Sequence, residues 1–399
     1  MSFHKNRLKD ANLHNKTVLL RVDFNVPINP DTNQITDITR IKYSLPTIKY
    51  LMGSNAKTVI GCHIGRPKGQ YREEMSVKIV AEILSHMLKI PIEVTQDSTS
   101  QKTKSRIFNM KNGELLMLEN LRFNPEEEAN DTAFARELAR GFDLFVNDAF
   151  GVSHRGHASV DAISQFLPTV SGMLLEQEVD VLTNLLNKPD RPFTTILGGA
   201  KISDKIKVVE NLGGIADHIL IGGGMAATFL KGQGLQIGKS IVDPNFVESV
   251  KSIFNQNILS SKLHIPTDVV VAEEFNKSSQ FREIPVSEIK PSEIILDIGT
   301  NTLQKYRDII RNSATVFWNG PMGIYEWKSF EKGTREIAKT LSNEAITSII
   351  GGGSTVDAIN HFKVANKITH ISTGGGASLE FLEGKILPGI KYLLSKEIG

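Results

Sequence analysis

The stretch HILIGGGMA (218–226) decides the fold: an apolar run, three glycines, then residues of helical periodicity. The figure recurs as SIIGGGST (348–355) and HISTGGGAS (370–378), and in shorter form as TTILGGAKISDKI (194–206). An apolar run that ends in glycines and gives way to a helix is how a parallel sheet exposes backbone N–H groups at its carboxyl edge. Glycine brings no Cβ between that backbone and a bulky anion. The helix start adds unpaired donors and the positive end of a dipole. One such turn only ends a strand, but several in one half of a chain predict a cradle for a polyphosphate.

Working outward, strand-like and helix-like segments alternate almost everywhere. KTVLLRVDF (16–24), AKTVIGCHI (56–64), GELLMLENL (113–121) and DLFVNDAF (143–150) read as strands. RIKYSLPTIKYLM (40–52), SVKIVAEILSHMLK (76–89) and DTAFARELAR (131–140) between them are helical in period. The second half continues with FTTILGG (193–199), ADHILIGGG (216–224), KLHIPTDVVVA (262–272), ATVFWNG (314–320), AITSIIGGG (345–353) and ITHISTGGG (368–376). The expected fold is α/β: two doubly wound parallel-sheet, Rossmann-like domains joined by a helix, with a cleft between them. The 399 residues exceed a comfortable single core. The boundaries are placed at 1–170 for the first domain, 171–188 for a linker helix (GMLLEQEVDVLTNLLNK, closed by Pro189 and Pro192) and 189–379 for the second domain.

The bulk numbers exclude several classes. Lys and Arg number 46 against 44 Asp and Glu, a net charge of +2, and there is no polybasic tract, so no nucleic-acid partner is expected. The lone cysteine, Cys62, fits a reducing cytoplasm. The opening MSFHKNRLKDANLHNK lacks the apolar core of an export signal, and no run approaches a membrane span, so no membrane partner is expected either. The stretch GQGLQIGKS (232–240) imitates a phosphate-binding loop but has the wrong glycine spacing and runs into a proline. No dinucleotide fingerprint and no nucleophile elbow appear, which argues against a dehydrogenase and a serine hydrolase.

Polar residues collect at the ends of the first-half strands. Arg21, Asp23 and Asn25 alternate in RVDFNVP and are expected on one face. His63 and Arg66 lie in HIGRP, Arg122 follows LENL, Arg155 lies in NDAFGVSHR and Arg40 opens a helix. Singly, each arginine is an ordinary surface charge. Converging on one rim, their planar forks suit a small acid that carries a phosphate.

Taken in order, RVDFNVP, HIGRP, LENLRF, NDAFGVSHR, GGAKISDKI, GGGMA, WNGPMGIYE and STGGGASLEFLEGK resemble the successive motifs of the phosphoglycerate kinase family, over essentially the whole chain. The resemblance implies a reversible glycolytic kinase, monomeric, that moves a phosphoryl group between 1,3-bisphosphoglycerate and ADP with Mg²⁺, giving 3-phosphoglycerate and ATP. It implies domain closure, with a C-terminal tail (about 380–399) returning to the first domain. Carried over by motif, Asp23, Phe24, Asn25, Arg40, His63, Ile64, Gly65, Arg66, Arg122 and Arg155 would hold the acid. Arg40, Lys201, Lys205, Gly353 and Gly376 would serve the migrating phosphoryl group. Gly199, Lys201, Lys205, Gly223, Gly299, Pro321, Glu326, Gly352, Gly353, Ser354 and Thr355 would hold the nucleotide, with Glu326 on the ribose.

There is one departure. The family commonly has Asp after the third glycine of the GGGST block, where it serves the metal–nucleotide complex; this chain has Ser354. A hydroxyl can ligate Mg²⁺ but brings no charge, so the phosphates would hold the ion, with Ser354 as the weak protein ligand and Asp357 as a possible substitute. Ser354 is also the one feature that favours an alternative, a catalytically weak nucleotide-binding relative with a scaffolding role. Intact Arg40, Arg66, Arg122, Arg155, Lys201 and Lys205 argue against it.

Overall fold

The structure, a computed structural model, describes residues 6–393 apart from 30, 204 and 344. They fold as two compact units, one of residues up to Asp180 together with the segment from Ile386, the other of Val181–Lys385. The division falls inside the helix Met173–Asn187 rather than at its ends.

In the first unit β1 (Thr17–Arg21), β2 (Lys57–Gly61), β3 (Glu93–Val94), β4 (Leu115–Met117), β5 (Leu144–Asn147) and β6 (Thr169–Ser171) form one sheet, in the order β3-β4-β2-β1-β5-β6. Every pairing is parallel. Alternation splits each strand between two cores. Leu20 and Ile60 pack with Ile48, Leu51 and Val80 on one face, and Leu19 and Val59 pack with Leu116, Phe145 and Leu138 on the other. Burying each such side chain is worth about 1.5–3 kcal/mol, so both faces need helical cover and the strand ends are left for the ligand. The register aligns Arg21 with Gly61 and with Asn147, which sets the loops 22–25, 62–66 and 148–155 side by side at the carboxyl edge.

β1 ends at Arg21, four residues short of Asn25. Asp23 and Asn25 therefore lie on a loop, and the expected common strand face with Arg21 does not exist. The segment from Ile386 adds to this unit: Asn147 Nδ2 donates to the Gly389 carbonyl at 2.7 Å, and Gly389 N donates to the Ser153 carbonyl at 2.9 Å. Residues 394–399 of the expected tail lie outside the described residues.

The second unit holds β7 (Phe193–Leu197), β8 (His218–Ile221), β9 (Leu263–His264), β10 (Asp268–Ala272), β11 (Phe281–Pro285), β12 (Ile294–Ile298), β13 (Thr315–Asn319), β14 (Thr347–Gly351) and β15 (His370–Ile371). Six of them form a parallel sheet ordered β15-β14-β13-β7-β8-β9. The chain reverses direction across the sheet between β7 and β13, the topological switch point where doubly wound sheets place their ligands. Leu197, Asn319, Gly351 and Ile221 stand level at that edge.

Two expectations fail here. KLHIPTDVVVA is not one strand. It breaks at Pro266, leaving Leu263–His264 in the parallel sheet and Asp268–Ala272 in a separate antiparallel sheet ordered β11-β10-β12. The helix after GGAKISDKI starts only at Ile206, so Lys201 stands on an irregular loop. Among the described residues, no helix is long and apolar enough to cross a membrane.

Candidate functional site

In the first unit the strand-end loops bind one another through side chains. Asn25 Oδ1 accepts the Gly65 N–H at 2.9 Å, and Arg122 Nη1 donates to the Gly65 carbonyl at 2.8 Å, so Gly65 is pinned from both sides. Arg40, at the start of the helix Thr39–Gly53, is ion-paired with Asp23. His63 is buried against Arg21. Burial, with Arg21 and Arg122 next in effect, holds its pKa well below the usual imidazole value. Arg122 is buried too, and desolvation pushes it down to about 10, still charged at neutral pH. Arg155 is half-buried and near enough for its charge to act on Arg122 and His157.

Asp23, Asn25, Arg40, His63, Gly65, Arg122 and Arg155 are thus one cluster. Arg66 follows it on the loop, exposed, with no ion pair among the described residues. Phe24 and Ile64 have buried side chains, and the Ile64 carbonyl is already taken by Asn120 Nδ2 at 2.9 Å, so both act as framework.

Asn120 was missed by sequence reasoning. Its Nδ2 also donates to the Met75 carbonyl at 2.8 Å, and its Oδ1 accepts the Arg122 N–H at 3.1 Å. The only sequence signal was its place in LENL, directly after an apolar run.

In the second unit the groups on display are mostly backbone. A pocket of about 380 Å³ is lined by Ile241, Phe275, Ile295 and Met322, together with Gly223, Pro321 and the exposed Glu326. A second pocket of about 340 Å³ is lined by Lys201, Lys205, Gly352, Gly353 and Gly376. Gly199, Ala200, Pro321 and Ser354 line both, so the two adjoin. The first is mostly apolar, with Glu326 and Asp297 as its carboxyl groups; the second is cationic and rich in glycine.

The switch-point loops are locked together: Gly198 N donates to Asn319 O at 2.9 Å, and Gly199 N to Pro321 O at 2.8 Å. Gly223 sits over them with φ +61°, and a Cβ on it would meet Gly199 N and lie 2.6 Å from Pro321 O. Only glycine satisfies both demands.

Not every expected nucleotide residue faces these pockets. Gly299 is buried, caps the helix Thr300–Arg311 and packs against Asp268, and it lines neither pocket. Thr355 lines the second pocket, but its hydroxyl accepts the Gly320 N–H at 2.6 Å, which makes it a strut for the loop. Two residues were missed. Asn319 lines the second pocket with a buried Nδ2 that has no hydrogen-bond partner among the described residues. Asp297 lines the first. Buried completely and only partly compensated by the Gly333 and Ile298 N–H groups, its carboxyl is pushed up to about 7. A single Asn or Asp within a strand carries no pattern that sequence could flag.

No group of three or more His, Cys, Asp or Glu suited to a metal occurs among the described residues. The donors fit a hard cation that brings its own phosphate and water ligands: the exposed Ser354 hydroxyl sits where the two pockets join.

A doubly wound sheet with an apolar pocket adjoining a lysine- and glycine-lined one defines a nucleotide-binding α/β protein, and the arginine cluster on a second such sheet makes it one of the two-unit kind. Comparison with known proteins gives the family. The phosphoglycerate kinase family profile matches residues 8–385. The chain is 47% identical to the phosphoglycerate kinase of Roseiflexus castenholzii over 392 residues, 98% of this chain and 99% of that one. It is 44% identical to that of Pelotomaculum thermopropionicum over 393 residues, 98% of this chain and 100% of that one. The solved structure of phosphoglycerate kinase from Coxiella burnetii superposes with a TM-score of 0.88 at 36% identity, covering 97% of this chain and 98% of that one. This chain belongs to the phosphoglycerate kinase family. None of these relatives bears a name that favours the scaffolding alternative.

Proposed function

We propose that this chain catalyses reversible phosphoryl transfer between 1,3-bisphosphoglycerate and ADP, giving 3-phosphoglycerate and ATP. The observation that carries the reading is that two pockets in the second unit adjoin, one largely apolar and of about 380 Å³, roomy enough for a nucleoside, the other lined by Lys201, Lys205 and glycines. Adenosine would lie along Gly223 and Pro321 with its ribose toward Glu326. The phosphates would lie on Gly352, Gly353 and Gly376, with Lys201 and Lys205 on the transferred group. In the first unit Asn25, His63, Arg66, Arg122 and Arg155 would take the acid, with Asp23 holding Arg40 for the acid and the migrating group.

The chemistry asks for little else. The acceptor is a carboxylate in one direction and a phosphate oxygen in the other, both ionised at pH 7, so no general base is needed. Catalysis is positioning plus neutralisation of charge on the transferred group. Mg²⁺ would supply charge neutralisation on the phosphates, with Ser354 as the protein's oxygen toward it.

The near-neutral net charge supports a protein without nucleic-acid partners and the lone Cys62 fits a reducing cytoplasm, and we read it as a cytoplasmic monomer without membrane partners. A coupled assay with 3-phosphoglycerate and MgATP tests the proposal. ADP formation that depends on the acid is the expected result; ATP turnover indifferent to the acid, or none, would overturn it.

A further inference from the structure

Arg21 stands at the end of β1 among the acid-site loops, yet its side chain is 1% exposed and every donor faces inward. Its Nε donates to Ser159 Oγ at 2.9 Å. Ser159 is in turn anchored on the fully buried Glu127: its hydroxyl donates to Oε1 at 2.6 Å and its N–H to Oε2 at 2.8 Å. Arg21 Nη1 donates to the Val22 carbonyl, and Nη2 lies 3.2 Å from His63 Nδ1.

A guanidinium has donors and no acceptor, so at that contact His63 Nδ1 accepts. A neutral imidazole whose Nδ1 is an acceptor carries its proton on Nε2. We infer that Arg21 is a positioning residue, anchored through Ser159 on Glu127, that fixes His63 as the Nε2–H tautomer and so presents a hydrogen-bond donor to the acid substrate. This rests on the phosphoglycerate-binding reading of the first unit.

Two further observations agree. His63 Nε2 makes no hydrogen bond to any described residue, so its N–H is what the ring has left for a ligand. The charges acting on His63 come from Arg21, Arg122, His157 and Arg40, and with burial they all disfavour the imidazolium. The other neutral tautomer would set an N–H against the guanidinium. The Arg21 side chain cannot reach the substrate itself, so its influence passes through the histidine.

Nitrogen-correlated NMR of the histidine rings in the free wild-type protein reads the tautomer directly. An unprotonated Nδ1 and a protonated Nε2 on His63, unchanged from pH 6 to 8, are expected; a protonated Nδ1 or an imidazolium in that range would overturn the inference. A kinetic pair sharpens it. Arg21→Leu removes the donor and is expected to raise KM for 3-phosphoglycerate about 10-fold, the equivalent of one hydrogen bond. Arg21→Gln can still donate to Nδ1 and is expected to restore most of that loss, with KM for MgATP unchanged in both. Equal losses in the two variants, or KM values for both substrates rising together, would contradict the positioning role. If neither variant folds, the wild-type spectrum decides. The spectrum needs no turnover, so failure of the phosphotransfer reading, an inactive wild-type enzyme, is scored separately.

Discussion

In the first unit the groups offered to an anion are side chains, each held by another side chain: Arg40 by Asp23, Arg122 by Glu128, His63 by Arg21. In the second, apart from Lys201 and Lys205, they are backbone groups at glycines that line the pocket, Gly352, Gly353 and Gly376, and Gly352 has a positive φ of +86°. A small acid with a carboxylate at one end and a phosphate at the other needs charge placed at discrete points, which arginine forks supply. A polyphosphate chain is met along its length, and a glycine-bearing edge above a helix start supplies donors at each step. The first kind of site fails when a side chain is truncated. The second fails when one is added.

The largest expected effect is at Lys205, a cation of the glycine-lined pocket. Lys205→Ala is expected to lower kcat by about 100-fold or more, since it removes charge stabilisation from the transferring group, while KM for 3-phosphoglycerate stays put; steady-state kinetics in both substrates checks this. Next is Gly223→Ala. The added methyl meets Gly199 and Pro321 in a backbone that already has positive φ, so the locked switch-point loops must part. A rise of about 30-fold or more in the MgADP dissociation constant is expected, equivalent to about 2 kcal/mol of strain and lost contacts, with the affinity for 3-phosphoglycerate unaffected. Calorimetric titration of each ligand measures both.

The third prediction concerns stability. Asp148 is wholly buried at the start of the helix Met173–Asn187, where its Oδ1 accepts the Leu174 and Leu175 N–H groups at 2.9 and 3.3 Å. Desolvation outweighs these bonds and the one from Thr47, and it pushes the carboxyl up to about 7. A carboxyl whose folded pKa lies above its unfolded value of 3.8 favours the folded state below that value and loses the contribution as pH rises through about 7. Asp148→Asn keeps the accepting oxygen without the charge. It is expected to be more stable than the wild type at pH 8.5, by on the order of 1–3 kcal/mol, and to lose that advantage as pH falls from 7 toward 4. Thermal unfolding at pH 5 and pH 8.5 reads the difference, and a wild type that is the more stable protein at pH 8.5 would reverse the assignment.

The smallest effect is at Ser354. A carboxylate there would sit in the first turn of the helix Gly353–His361, where the dipole favours it, and beside the phosphates' metal. Ser354→Asp is expected to lower the Mg²⁺ concentration for half-maximal activity about 3-fold, a gain of well under 1 kcal/mol in keeping with a metal held mostly by phosphate and water.

The amide-lined half of this comparison was the more legible in sequence. Glycine after an apolar run leaves a mark that few other folds produce, so the four turns, the doubly wound sheets and the pocket glycines could be read directly. The side-chain half was legible as a list of arginines but not as an arrangement. Alternation put Arg21 with Asp23 and Asn25 because nothing in RVDFNVP announces that the strand stops at Arg21. Asn120 acts through Ile64 and Met75, far away in sequence, and Asn319 and Asp297 matter by where they stand on a pocket wall, none of which a local pattern records. The antiparallel sheet escaped notice because Pro266 sits between two apolar runs that read as one, and because β11 is largely exposed. Gly299 looked like the other strand-end glycines, yet it is occupied by Asp268.

The division of labour between the two units is tested most directly by titrating 3-phosphoglycerate and MgADP separately into Arg122→Ala and Arg155→Ala. The acid is expected to bind at least about 10-fold more weakly to each, the loss of a charge-assisted hydrogen bond, and MgADP to bind as it does to the wild type. Nucleotide affinity falling in step with acid affinity would contradict the account.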